Sequence, residues 1–267
     1  MANKKPFILI SNDDGVYAKG LEALIKVARP FGDIMVVASE RAESGMSHAI
    51  TIKHPLRLTK IKEEEGLQIF SINGTPVDSI KMALNQLVDR KPDLVLSGIN
   101  HGSNASISVI YSGTLGAARE GCLNGIPSLG FSLLNHDKDA DFSMVSHFLP
   151  QIIKEALERG IAEQTFLNIN FPDVSVGDIK GIKVCRQTKG VWKEEYEKRI
   201  DPHKGDYYWL TGAFKNFEPE QEDTDEWALE HNYISIVPTQ IDATSYLELE
   251  NIKKWNLNGN NTENSHK

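Results

Sequence analysis

The sequence predicts an α/β fold: a mostly parallel sheet with helices on both faces. Through the first half of the chain, short apolar runs alternate with stretches of helical periodicity. Several of these runs are apolar at every position, as strands covered on both faces must be. The polar chemistry gathers in the loops that follow the runs, at the carboxyl ends of strands, where ligands bind in sheets of this kind.

FILIS (7–11) is the first strand. Leu21, Leu24, Ile25 and Ala28 form a helical stripe over 20–30 that Pro30 ends. DIMVVAS (33–39) is the second strand, and 49–61 and 67–72 read as a strand pair joined by the charged stretch 63–66. Asn73-Gly74-Thr75-Pro76 is a turn feeding a helix with Ile80, Ala83, Leu84 and Leu87 on one face. DLVLSGIN (93–100) is a further buried strand, followed by a polar loop through Gly113 and a helix over 114–123 that Gly125 and Pro127 close. Residues 128–133 and 166–172 are strands flanking a long helix over 140–159.

The pattern changes after about Lys183. Residues 186–232 are charged and rich in aromatics: Trp192, Tyr196, Tyr207, Tyr208, Trp209 and Trp227. Two readings stand for this stretch, an extended hairpin that docks on another subunit and a lid over the site, and the abundance of large aromatics favours the first. A short helix starts at 223–226, a strand follows at 233–238 and a terminal helix at 244–255. The organisation expected is a catalytic core over 1–185, an oligomerisation part over 186–256 and a disordered tail over 257–267.

A formal net charge of −8 argues against coating a nucleic-acid polymer, which calls for a basic face. The first apolar run, Phe7–Ile10, is too short for a signal peptide, and no stretch reaches the roughly 20 residues of a membrane span. Cys122 and Cys185 have neither metal-ligand nor redox spacing and read as reduced thiols of a cytoplasmic protein.

Loop one, Asn12-Asp13-Asp14-Gly15, ends a buried strand in two adjacent carboxylates. Neighbouring strand residues point to opposite faces, so the two converge only where the chain turns, which Gly15 permits. Convergent carboxylates repel unless protons or a cation neutralise them, and a hard divalent metal is the natural partner. Loop two (43–48) brings Ser44, and loop three (97–104) brings Asn100 and Asn104, so three loops supply carboxylate, hydroxyl and amide oxygens. Ser44 as a helix cap and Asn100 as a turn residue remain open alternatives. Tyr111-Ser112-Gly113-Thr114 opens a helix whose free N–H groups form an anion site, a role compatible with capping by Ser112 or Thr114. His48 and His101 share these loops, as metal ligands, as proton donors to a leaving alkoxide or as structural residues. Asp78 reads as a structural cap or a support for the site. A metal beside a helix N-terminus suits metal-assisted hydrolysis of a phosphate monoester.

These residues resemble the SurE-type survival proteins, a family of metal-dependent nucleoside monophosphate phosphatases. The resemblance rests on SNDDGVYAKGL (11–21), ESGMSHAITI (43–52), GTPVDS (74–79), PDLVLSGINHGSN (92–104), YSGTLGAAREG (111–121) and WALEHNYISIVPTQIDAT (227–244). It implies a Rossmann-like core and a dimer or tetramer formed through a swapped C-terminal part. It implies one divalent cation per subunit, manganese or magnesium among those that serve, on Asp13, Asp14, Ser44 and Asn100. It implies that Asn104, Ser112, Gly113 and Thr114 hold the phosphate, with Asn12 shaping the first loop and contacting substrate. The implied activity is phosphate removal from 5′- and 3′-nucleotides, with short polyphosphate as a further substrate. The chain departs from the family at Ser39-Glu40, where the usual pair is Pro-Asp, at Ser79, often a cysteine, and at Ala105-Ser106. The expected mechanism is direct water attack, with Asp13 or Asp14 taking or orienting the proton and Asn104 stabilising charge. A phosphoaspartate route is the rival. A metal-dependent deacetylase would need histidine ligands that loop one lacks, and a nucleotide sensor would bind without turnover.

Overall fold

The computed structural model describes residues 5–255 and residue 257. The tail expected over 257–267 lies outside the described residues apart from residue 257. The elements in chain order are β1 (Phe7–Ser11), α1 (Lys19–Ala28), β2 (Asp33–Ser39), β3 (Leu58–Glu64), β4 (Leu67–Ile72), α2 (Pro76–Met82), β5 (Leu94–His101), α3 (Gly113–Leu123), β6 (Ser128–Leu133), α4 (Ser143–Arg159), β7 (Thr165–Phe171), β8 (Gly181–Val184), β9 (Gly190–Lys193), β10 (Tyr196–Ile200), β11 (Asp206–Leu210), β12 (Ala213–Asn216), α5 (Asp225–Glu230), β13 (Tyr233–Gln240) and α6 (Tyr246–Ile252).

Nine strands form one sheet in the order β3-β4-β2-β1-β5-β6-β7-β13-β8. Pairing is parallel from β4 through to β7 and between β13 and β8, and antiparallel where β3 meets β4 and β13 meets β7. The mostly parallel sheet is therefore as the apolar runs predict. Alternation along the strands feeds two cores. Ile8, Ile10, Leu94, Leu96 and Phe131 pack with Leu21, Leu24, Leu149 and Ile153 of α1 and α4. Leu9, Val37, Ile72 and Val95 pack on the other side with Ile80 of α2 and Ala117 of α3.

Two sequence expectations change. Residues 49–57 carry no strand: the Thr51 N–H donates to Asp78 Oδ1 at 3.1 Å, and the Ala49 carbonyl accepts the Thr75 hydroxyl at 2.7 Å. These bonds tie the segment to the start of α2 instead of a sheet edge. Strand β8 is an addition, a four-residue edge piece too short to carry a periodic signal. Asp78 closes a reciprocal capping box with Thr75, which confirms its reading as a cap.

From β1 the chain passes to β2 on one side, while β5 lies on the other. The carboxyl ends of β1 and β5 thus flank the topological switch point, where the loops diverge and leave a crevice. The charged, aromatic stretch leaves as a long hairpin made of two ribbons, β9 with β12 at the base and β10 with β11 at the tip.

Candidate active site

Loop one turns at Gly15, whose φ of +100° lies in the region that glycine adopts without strain. Asn12 closes the turn from beneath, donating from Nδ2 to the Gly15 carbonyl at 2.9 Å. The Glu43 N–H donates to the Asp13 carbonyl at 2.7 Å, joining loops one and two. The two aspartates reach in different directions. Asp13 meets the start of α3, where Oδ1 accepts the Thr114 hydroxyl. Gly113 makes the approach possible: a Cβ there would stand 2.9 Å from Asp13 Cβ and 3.0 Å from Oδ2. Asp14 meets the end of β5, accepting the His101 N–H at 3.2 Å.

Asn100 owes its placement to a slip in the β5–β6 register between Ser97 and Asn100. Its Nδ2 donates to the Gly102 carbonyl at 2.8 Å, which leaves its side-chain oxygen as the free end. Asn104 is held at three atoms. Its N–H donates to Asn170 Oδ1 at 2.9 Å, its carbonyl accepts Asn168 Nδ2 at 2.9 Å, and its Nδ2 donates to Ser132 Oγ at 2.8 Å. Ser112 caps α3, accepting the Leu115 N–H at 3.0 Å, so its hydroxyl hydrogen is free to point elsewhere.

Together these groups border a cavity of about 690 Å³. Asp13, Ser44, Asn100, Asn104 and Ser112 line it. Asn12, Gly113 and Thr114 lie behind that wall, the last two touching Asp13. Asp14 is not among the lining residues, and its carboxylate is held by the His101 N–H.

Burial, and then the charge of Asp14, push the Asp13 carboxyl up to about 6, against the downward pull of the Thr114 hydroxyl. Burial also raises Asp14, against the His101 bond. No lysine or arginine is among the described residues lining the cavity. Two carboxylates withdrawn from water, with His101 but no lysine or arginine beside them, favour a bound cation. The donor set fits a hard one: two carboxylates, the Ser44 hydroxyl and the free oxygen of Asn100. Among the described residues no cluster of three or more His, Cys, Asp or Glu could hold a metal, and this set is not of that kind, since half of it is hydroxyl and amide. Asn12 Oδ1 and the hydroxyls of Ser11 and Ser97, paired in the β1–β5 register, are buried here with no protein partner.

The histidines separate. His48 turns away from the cavity, its Nε2 3.1 Å from Oε2 of Glu120 on α3. Burial alone would raise the Glu120 carboxyl, but His48, Lys81 and Asn124 together bring it below its ordinary value. His101 borders the cavity with its ring edge-on to Phe142 at 5.2 Å. Several lining residues carry no sequence signal as site residues. His136 comes from the loop after β6 and sits against Gly102, where a Cβ would meet its ring at 2.2 Å. The opposite wall is Trp192, Tyr196, Leu210 and Gly212 of the hairpin. The aromatic clustering of 186–232 is the signal in the sequence for this wall. Within one chain these hairpin residues line the cavity.

The model of the family described as survival protein SurE matches residues 8–194. A 5′-nucleotidase SurE of Phocaeicola vulgatus is 50% identical over 257 residues, 96% of this chain and 99% of that one. A 5′-nucleotidase SurE of Flavobacterium johnsoniae is 50% identical over 260 residues, 97% of this chain and all of its own length. Among solved structures, the crystal structure of the SurE protein from Aquifex aeolicus superposes with a TM-score of 0.80 at 37% identity, covering 93% of this chain and 98% of that one.

Proposed function

The chain belongs to the SurE family of survival proteins, and from that membership we propose that it is a 5′-nucleotidase, hydrolysing nucleoside monophosphates to nucleoside and phosphate. The observation that carries the reading is the buried Asp13 carboxylate, set against the first turn of α3 and bordering a cavity lined by oxygen and amide donors.

On this reading the protein is metal-dependent, and Asp13, Asp14, Ser44 and Asn100 hold one divalent cation, manganese or magnesium. When bound, such an ion neutralises phosphoryl charge and makes a water more acidic. The protein's own groups do the rest. Asp13, the aspartate that borders the cavity, orients the attacking water and takes its proton. The Ser112 hydroxyl, the N-terminal amides of α3 and the Asn104 amide donate to the equatorial oxygens as charge grows on them. Gly113 and Thr114 act from behind, by fixing Asp13. Asn12 holds the turn that presents both aspartates.

The same reading places the outer hairpin and α6 at contacts between copies in a homodimer or homotetramer. Tyr208 and Trp209 on the hairpin and Tyr246, Leu247 and Trp255 near the C-terminus are exposed. No helix among the described residues is long and apolar enough to cross a membrane. Cys122 and Cys185 are both unpaired, which suits a cytoplasmic protein.

The test is phosphate release from AMP, GMP and UMP with manganese or magnesium, before and after chelation, in the wild type and in Asp13→Asn. Turnover lost on chelation, restored by metal and lowered at least about 100-fold in the variant is the expected result. Nucleotide binding without phosphate release would show a sensor, and turnover indifferent to Asp13 would show that the chemistry lies elsewhere.

A further inference from the structure

Resting on the nucleotidase reading, we propose that Trp192 is the platform on which the substrate's base stacks. The cavity of about 690 Å³ is of the size that takes a nucleotide-sized ligand. Its two sides come from different parts of the chain. One carries Asp13, Asn104 and Ser112, and the other, from the hairpin, carries the large side chains Trp192, Tyr196 and Leu210 beside Glu195 and Thr211. A phosphomonoester with its phosphate on the first side presents the rest of the molecule to the second.

The Trp192 ring is built into place. It lies opposite Phe214 in the β9–β12 register, with the ring centroids 6.1 Å apart at 63°. Phe214 in turn lies over Gly190, where a Cβ would meet its ring at 2.2 Å. A residue without a side chain thus seats one aromatic, which braces the next, and the indole is only half-buried. Tyr196 and Leu210 face each other in the β10–β11 register, so they stand on one face of the tip ribbon and continue the wall. An aromatic ring held before the ligand arrives loses little freedom on binding. Stacking is tolerant of base identity, because every base presents a flat face. Purines, with their larger rings, gain more from the platform than pyrimidines.

The test compares AMP and UMP with ribose 5-phosphate, which keeps the phosphate and sugar but has no base, in the wild type, Trp192→Ala and Trp192→Phe. The expected result is a rise in KM for AMP of about 10-fold or more in Trp192→Ala, a smaller rise for UMP, and ribose 5-phosphate within about 2-fold of wild type. Trp192→Phe keeps most of the AMP preference. Equal losses on AMP and ribose 5-phosphate would overturn the proposal and make Trp192 a support for the cavity's shape, and no loss on AMP would remove the ring from the base. Competitive inhibition of the wild type by adenosine against ribose gives a second measurement that does not depend on a variant folding. Equal inhibition by the two would also overturn it. If the wild type turned over none of the three phosphates, the nucleotidase reading would fail instead.

Discussion

Asn170 does not itself line the cavity, yet Asn170→Ala is expected to slow the enzyme as well as weaken the fold. Its side chain is fully buried on β7. Oδ1 accepts the Asn104 N–H and Nδ2 donates to Asn168 Oδ1, both at 2.9 Å. Truncation leaves that N–H and that oxygen in a dry interior without partners. An unsatisfied buried group costs about 1–3 kcal/mol, so the pair amounts to roughly 2–5 kcal/mol. At about 2.1 cal/mol/K of unfolding entropy per residue over 267 residues, each kcal/mol lowers Tm by about 2 °C, giving a fall of roughly 4–9 °C. The kinetic consequence follows from the loss of one of the three ties on Asn104. A displacement of about 1 Å at a positioning group can cost on the order of 100-fold, so kcat is expected to fall about 10- to 100-fold. Asn170→Asp tests the same link while keeping the shape. It still accepts from Asn104 but turns an oxygen toward Asn168 Oδ1, so the fall in kcat is expected to be smaller than for Asn170→Ala while Tm falls at least as far. Calorimetry and steady-state kinetics on the same samples decide the matter. A Tm that falls as calculated with kcat and KM unchanged would refute the reasoning, because Asn104 would then have lost a tie without the reaction noticing.

Two further outcomes are expected. The Glu226 carboxyl is pushed up to about 7, chiefly by burial and then by Asp225 and Glu230. Its folded value is above its unfolded one, so its contribution to stability is fully present below the unfolded value and is lost as pH rises through about 7. Thermal melts from about pH 5 to 8 should show Glu226→Gln less pH-sensitive than wild type by about 2 kcal/mol, and superimposable profiles would count against it. For the assembly reading, replacing residues 197–209 with a two-glycine turn removes the exposed tip while keeping the hairpin base. Light scattering should then report a smaller particle, and an unchanged mass would move the interface elsewhere.

Much of the molecule is written in short stretches of the chain. Phe7–Ser11, Asp33–Ser39 and Ser128–Leu133 are strands at the limits their apolar runs mark. The Ser112 cap, the Thr75–Asp78 capping box and the turn at Gly15 follow from residues at most three apart. Such features need no information from elsewhere, because periodicity and capping are matters of neighbours. The segments that carry Asp13, Ser44 and Asn100 are legible for the same reason: Asp13 and Ser44 follow the ends of β1 and β2, and Asn100 stands in the last two residues of β5.

What neighbours could not specify is which loops meet, and from which side. Thr114 reaches Asp13 across 101 positions of chain and Asn170 reaches Asn104 across 66, so neither bond leaves a mark in any window of sequence. His48 and His101 look alike in their loops. Glu120 on a later helix draws one away, while the sheet brings the other to the cavity. The Trp192 wall is a matter of where a hairpin leans, and an aromatic run reads the same whether it faces a partner or a ligand. Local chemistry made the parts, and packing between distant segments, which settles direction and burial, made them a site.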